Sequence, residues 1–146
     1  MMDAFGRFGL VINDHVVRTP VAIASMAGIV DAAYVLKREE HIGAAFIGGY
    51  SIDEPTMEAA AAIAASGDRK EFLYTDPVEE LTKQIKKLKK SPVVTGINLR
   101  GSNPRSFFAI ASAFGDSVVY EVDARCRQEP MVAAGAGSII YKSPQT

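Results

Sequence analysis

The residues best suited to chemistry gather late in the chain, where Cys126 stands between Arg125 and Arg127 shortly after Asp123. Cationic neighbours favour a thiolate and raise its reactivity, unlike the apolar setting of a structural cysteine. A lone cysteine can equally be buried packing. It is the single cysteine, so no internal disulfide forms, and with only His15 and His41 beside it a zinc cage of ordinary spacing is excluded. No metal site is expected. Asn98 offers both a donor and an acceptor, which could match the imide edge of a flavin ring, although asparagine also forms turns. Ser25, Met26 and Ala27, followed by Gly28, let a flat ring lie against backbone beside a soft thioether, a pattern that simple tight packing explains as well.

Strands and helices must bring these residues together. Phe8 to Ile12 and His15 to Arg18 flank Asn13-Asp14 and read as a short N-terminal hairpin. Apolar runs over Val21–Ala24, Ala44–Ile47, Val93–Asn98 and Val118–Asp123 read as strands. Helices are expected from Asp31, from a Ser51/Glu54 capping box to Ser66, from Asp76-Pro77, and from Asn103-Pro104 with an apolar stripe of Phe107, Phe108 and Ala111. This alternation predicts an α/β fold, a parallel sheet covered by helices. In such folds ligands sit beyond the carboxyl ends of the strands, where the singled-out residues fall. A glycine-rich turn, Gly135-Ala136-Gly137, follows the cysteine, which places the thiol on a loop over those ends.

The 146 residues suffice for one domain, and 48% apolar with 23% charged content excludes disordered and collagen-like classes. A net charge of −1 gives no global reason to bind nucleic acid. Lys83, Lys86, Lys87, Lys89 and Lys90 read as a solvated helix end, with Glu79–Lys83 an i,i+4 pair and a local RNA contact the alternative. No membrane span or leader segment is visible, so a cytoplasmic protein is expected. Ser143-Pro144 starts a helix signal just before the chain stops at Thr146. Four strands are about half of a (β/α)8 barrel of roughly 250 residues. The expectation is therefore a single domain over residues 1–146, the interrupted first half of a TIM barrel, with a tail after a finished domain as the alternative.

Three segments carry a resemblance. Ala24-Ser25-Met26-Ala27-Gly28-Ile29-Val30-Asp31 looks like Ala-Pro-Met-Ala-Gly-Val-Thr-Asp of the tRNA-dihydrouridine synthases. Asn98-Leu99-Arg100-Gly101-Ser102-Asn103-Pro104 resembles their Gln-Ile-x-Gly-Ser-Asp-Pro. Glu121-Val122-Asp123-Ala124-Arg125-Cys126, with Gly135-Ala136-Gly137 and Lys142-Ser143-Pro144, is similar to their Asp-Ile-Asn-x-Gly-Cys-Pro loop and the Gly-Ala-Gly and Lys-Asp-Pro that follow it.

The resemblance implies an FMN-dependent (β/α)8 barrel. Ser25, Met26 and Ala27 would line the flavin, and Asn98 would stand where the family's glutamine contacts it. Cys126 would be the proton donor when a pyrimidine 5,6 double bond is reduced. Asp123, Arg125 and Arg127, which replace the family's asparagine, glycine and proline, would face the tRNA or a small pyrimidine. A dihydroorotate dehydrogenase-like enzyme is the second expectation, because paired arginines attract a carboxylate. The third is a non-catalytic half-barrel binding module. The two open edges of a half barrel also invite a homodimer.

Overall fold

The computed structural model describes residues 9–12 and 14–137; the Ser143-Pro144 signal, Lys142 and Asn13 of the hairpin lie outside the described residues. The expected hairpin is present as β1 (Leu10–Ile12) and β2 (His15–Val17), paired antiparallel with Leu10 opposite Val17. Four parallel strands follow as β3 (Ala22–Ile23), β4 (Ala44–Ser51), β5 (Val94–Arg100) and β6 (Val119–Val122), lying side by side in chain order. The protein is thus a mixed α/β fold around a four-stranded parallel sheet. The two central strands, β4 and β5, are buried almost throughout; β4 reads as a near-continuous run of apolar and small residues, while β5 carries the polar Asn98 and Arg100 at its carboxyl end.

Helix starts follow local chemistry. Asp31 caps α1 (Ala32–Leu36), Asp76 caps α3 (Pro77–Leu88) and Asn103 caps α4 (Pro104–Phe114), each accepting a backbone N–H at the positive end of its helix. Proline follows the cap of α3 and of α4, where its missing N–H costs nothing. On α3 the Glu79–Lys83 pair forms at 2.9 Å in solvent.

Three expectations need correction. Strand β4 does not stop at Gly48-Gly49 but continues to Ser51, with a register shift between Gly48 and Tyr50 against β5. Glycines inside a strand commonly mark such a shift. Ser51 is therefore part of the sheet, and the capping box of α2 (Glu54–Ser66) is built instead from Asp53 and Thr56. On α4 the packed face is Phe107, Ile110 and Phe114, while Phe108 is 71% exposed.

Helices α1, α3 and α4 cover one face of the sheet. Val35, Leu81 and Ile110 meet Ile47, Tyr50, Ile97 and Leu99 there in the main core. Helix α2 stands apart and packs through Ala59, Ala60 and Ile63 on Met131 of α5 (Glu129–Ala133) and on Ala136. The opposite, inner face is closed at its amino end by the hairpin, where Val17 meets Ala44 and Val94. Phe46 then lies over Gly96, where a side-chain carbon would fall 2.3 Å from its ring. Among the described residues no helix is long and apolar enough to cross a membrane.

Candidate functional site

Above Phe46 the inner face opens into a cleft of about 540 Å³ at the carboxyl ends of the four parallel strands. Its walls are Ser25 and Ala27 after β3, Gly49 in β4, Asn98 and Arg100 in β5, and Glu121 in β6 with the following loop from Val122 to Gln128. Alternation along a strand explains the selection. Asn98 and Arg100 point inward, while Ile97 and Leu99, which alternate with them, join the helical core.

Of the residues singled out in the sequence, Ser25, Ala27, Asn98, Asp123, Arg125, Cys126 and Arg127 all line this one cleft. Met26 does not. Its side chain is 49% exposed, and its carbonyl accepts the backbone N–H groups of Ile29 and Val30 to make the turn.

Polar contacts hold the cleft together. Glu121 Oε2 accepts from Asn98 Nδ2 at 2.9 Å and from Ser25 Oγ at 3.1 Å, tying the ends of β3, β5 and β6 to one carboxylate. Arg100 is 2% exposed and donates through both terminal nitrogens to Glu71, at 3.1 and 2.5 Å, and to Ser51 Oγ at 3.2 Å. The Glu71 side chain is fully enclosed, so this is a buried, bidentate ion pair. Arg100 Nε has no hydrogen-bond partner. Tyr74 donates its hydroxyl to the Ser51 carbonyl at 2.7 Å, and burial pushes this phenol well above the ordinary tyrosine range. Asp53 Oδ2 accepts from Ser102 N, Ser102 Oγ and Asn103 N at 2.7, 3.1 and 3.1 Å, which fastens the loop after β5 to the start of α2.

The thiol loop is held from behind. Cys126 is partly buried against the α2–α5 cluster, and its Sγ donates to Gln128 Oε1 at 2.7 Å. Gly137, at φ 69°, runs so close to the loop that a side-chain carbon would come 2.2 Å from Cys126 N. That close approach requires glycine as the last residue of the Gly-Ala-Gly turn. Arg125 N donates to Asp123 Oδ1 at 3.2 Å, a local Asx-type bond that shapes the turn before the cysteine.

Sequence reasoning passed over Glu121, Arg100 and Glu71 as site residues. Strand alternation could have flagged the first two, since Glu121 stands two residues before Asp123 and Arg100 two after Asn98. Arg69 pairs with Glu71 locally at 3.7 Å, but the bidentate partner that buries this carboxylate is 29 residues away.

No family model matches the chain, and no solved structure matches it. It is similar to the uncharacterized protein MJ0144 of Methanocaldococcus jannaschii, at 29% identity over 128 residues, covering 84% of this chain and 48% of that protein. The chain thus spans about half the length of that relative.

Proposed function

We propose that the chain is the N-terminal half of an FMN-dependent (β/α)8 barrel of the tRNA-dihydrouridine synthase type, acting on the 5,6 double bond of a pyrimidine. The observation that carries this reading is convergence. Ser25 with Ala27, Asn98, and Cys126 come from three separate motif-bearing segments and line one cleft at the carboxyl ends of parallel strands. The strand order supports the barrel, because β3 to β6 follow one another without the reversal of a doubly wound sheet. The length of the relative, about twice that of this chain, is in keeping with a missing half.

The residues fit a flat ring. Gly49 offers it a bare surface, since a side-chain carbon there would crowd Asn98 Oδ1 at 2.7 Å. Arg100 Nε is a buried donor in want of an acceptor. Ser25, Ala27 and Asn98 would hold the ring, and when bound FMN would supply the hydride. Cys126 would give its proton to the pyrimidine, a proton now directed to Gln128 Oε1. Arg125, Arg127 and Asp123 would meet the substrate at the rim.

In such barrels the cofactor phosphate is usually gripped by loops after the seventh and eighth strands. The chain alone is therefore expected to bind FMN weakly and to turn over little. The test is to purify the chain, and a version extended to the length of its relative, with excess FMN. Retained flavin in the longer protein and dihydrouridine formation in tRNA are expected; colourless protein from both contradicts the assignment. A second reading, a small carboxylated pyrimidine as in dihydroorotate oxidation, is favoured by Arg125 and Arg127 at the rim of the cleft. Dihydroorotate-dependent flavin reduction separates the two. The open edges at β3 and β6 are where further strands or a second copy would add.

A further inference from the structure

Two guanidinium groups share one carboxylate beside the cleft, and the excess positive charge falls on Arg69. Arg100 holds Glu71 with both terminal nitrogens and is 2% exposed, so its charge is matched and sealed. Arg69 reaches the same carboxylate only through Nε, at 3.7 Å, and its side chain is 38% exposed. Among the described residues its terminal nitrogens meet no acceptor. Asp68, the acid next to it in sequence, is occupied in accepting from Ser66 Oγ at 3.1 Å. One carboxylate cannot neutralise two cations, and an anion beside Arg69 would relieve the repulsion between them.

The loop that carries Arg69 joins α2 to α3 and is held at two points. Its backbone lies on the turn after β3, where a side-chain carbon on Gly28, at φ 71°, would fall 2.4 Å from the carbonyl carbon of Lys70 and 2.6 Å from Glu71 N. The buried Glu71–Arg100 pair fastens it to β5. Arg69 is therefore already placed on the cleft wall with Ser25, Ala27 and Asn98, and little ordering remains to be done when a ligand arrives. The acids on that wall have partners of their own. Glu121 accepts from Asn98 and Ser25, and Asp123 from the backbone N–H of Arg125. Arg69 belongs to none of the three segments that carry the resemblance, which assigns it no role. We propose that Arg69 is a specificity residue whose terminal nitrogens bind an anionic group, phosphate or carboxylate, carried by the pyrimidine ligand of the cleft. Both groups offer the paired oxygens that a guanidinium edge matches. This rests on the proposed role of the cleft in binding a pyrimidine.

Uridine and uridine 5′-phosphate differ by a phosphate, and uracil and orotate by a carboxylate. Binding of these four to the purified chain is to be measured by ligand-observed NMR at low salt. The native chain is expected to bind the anionic member of at least one pair roughly tenfold more tightly than the neutral member. Arg69→Met is expected to bring that ratio below about threefold, mainly by weakening the anionic ligand. Arg69→Lys keeps the charge without the paired edge and is expected to restore part of the ratio. Glu71 retains its bidentate partner in both variants, so the melting temperature is expected to move little.

The arms have separate meanings. Equal binding within both pairs by the native chain overturns the role of Arg69 and leaves the proposed function standing. A full ratio retained in Arg69→Met also overturns it and assigns the recognition to Arg125 and Arg127. A preference that Arg69→Met removes supports the role. If it is confined to the uridine pair the group is a phosphate, and if to the uracil pair a carboxylate. Binding of none of the four ligands overturns the role and the pyrimidine reading together.

Discussion

At the amino end of the sheet's inner face the hairpin sets Val17 on Ala44 and Val94, whereas at the carboxyl end the same strands present Asn98, Arg100 and Glu121. The first end gains its stability from apolar burial, which asks only for suitable volume. The second carries a buried ion pair, a shared carboxylate and an unpaired donor, none of which is the economical way to fill a core. Folds that break stability rules at one place usually do so where they bind or react. The proposed function rests on this contrast, with the polar carboxyl end as the proposed binding end.

The comparison can be broken most forcefully at Arg100. Arg100→Met would leave the enclosed Glu71 carboxylate with only the longer, 3.7 Å contact to Arg69, and a loss of about 3 kcal/mol is expected in urea unfolding. A loss below roughly 1 kcal/mol, in this variant and in one that also carries Arg69→Met, would mean that water reaches Glu71 and that the pair is not a buried one. At the other end, Val17→Ala should cost about 2 kcal/mol through the cavity it leaves. Flavin affinity should not change, and a parallel fall in affinity would show that the two ends are not separable. Ser25→Ala removes one of the two hydrogen bonds on Glu121, for about 1 kcal/mol of stability. In contrast to Val17→Ala, it should also weaken ligand binding.

The smallest expected effect lies in the helical core. The Tyr50 hydroxyl is buried without a partner, so Tyr50→Phe should stabilise the protein by about 1 kcal/mol. Burial also pushes the Tyr50 phenol, like that of Tyr74, well above its ordinary value. Above roughly pH 10 the unfolded chain releases these protons while the folded chain keeps them. Stability is therefore intact below that pH and falls as pH rises toward the folded values. Melting temperatures recorded up to about pH 11 should drop less steeply in Tyr50→Phe.

The parts of the fold legible in the sequence were those decided locally. Asp31, Asp76 and Asn103 cap their helices as their side chains dictate, and the apolar runs became strands in the order read. The hairpin and the Glu79–Lys83 pair were legible for the same reason. Errors arose where a distant partner outvoted a local signal. Ser51 and Glu54 have the spacing of a capping box, but pairing with β5 draws Ser51 into the sheet, opposite Arg100. Phe108 belongs to an apolar stretch, yet the packed face of α4 runs through Phe107, Ile110 and Phe114. Within the cleft, the sequence pointed to strand ends and hence to Ser25, Asn98 and Cys126. It could not show Glu121 joining residues 96 and 23 positions away, because only the folded sheet makes them neighbours.

Amide shift mapping of the isotope-labelled chain with FMN tests the central claim most directly. Saturable shifts confined to Ser25–Gly28, Gly48–Gly49, Asn98–Arg100 and Glu121–Gln128 are the expected result. Shifts gathered instead around Val17, Ala44 and Val94, or none at millimolar FMN, would contradict it.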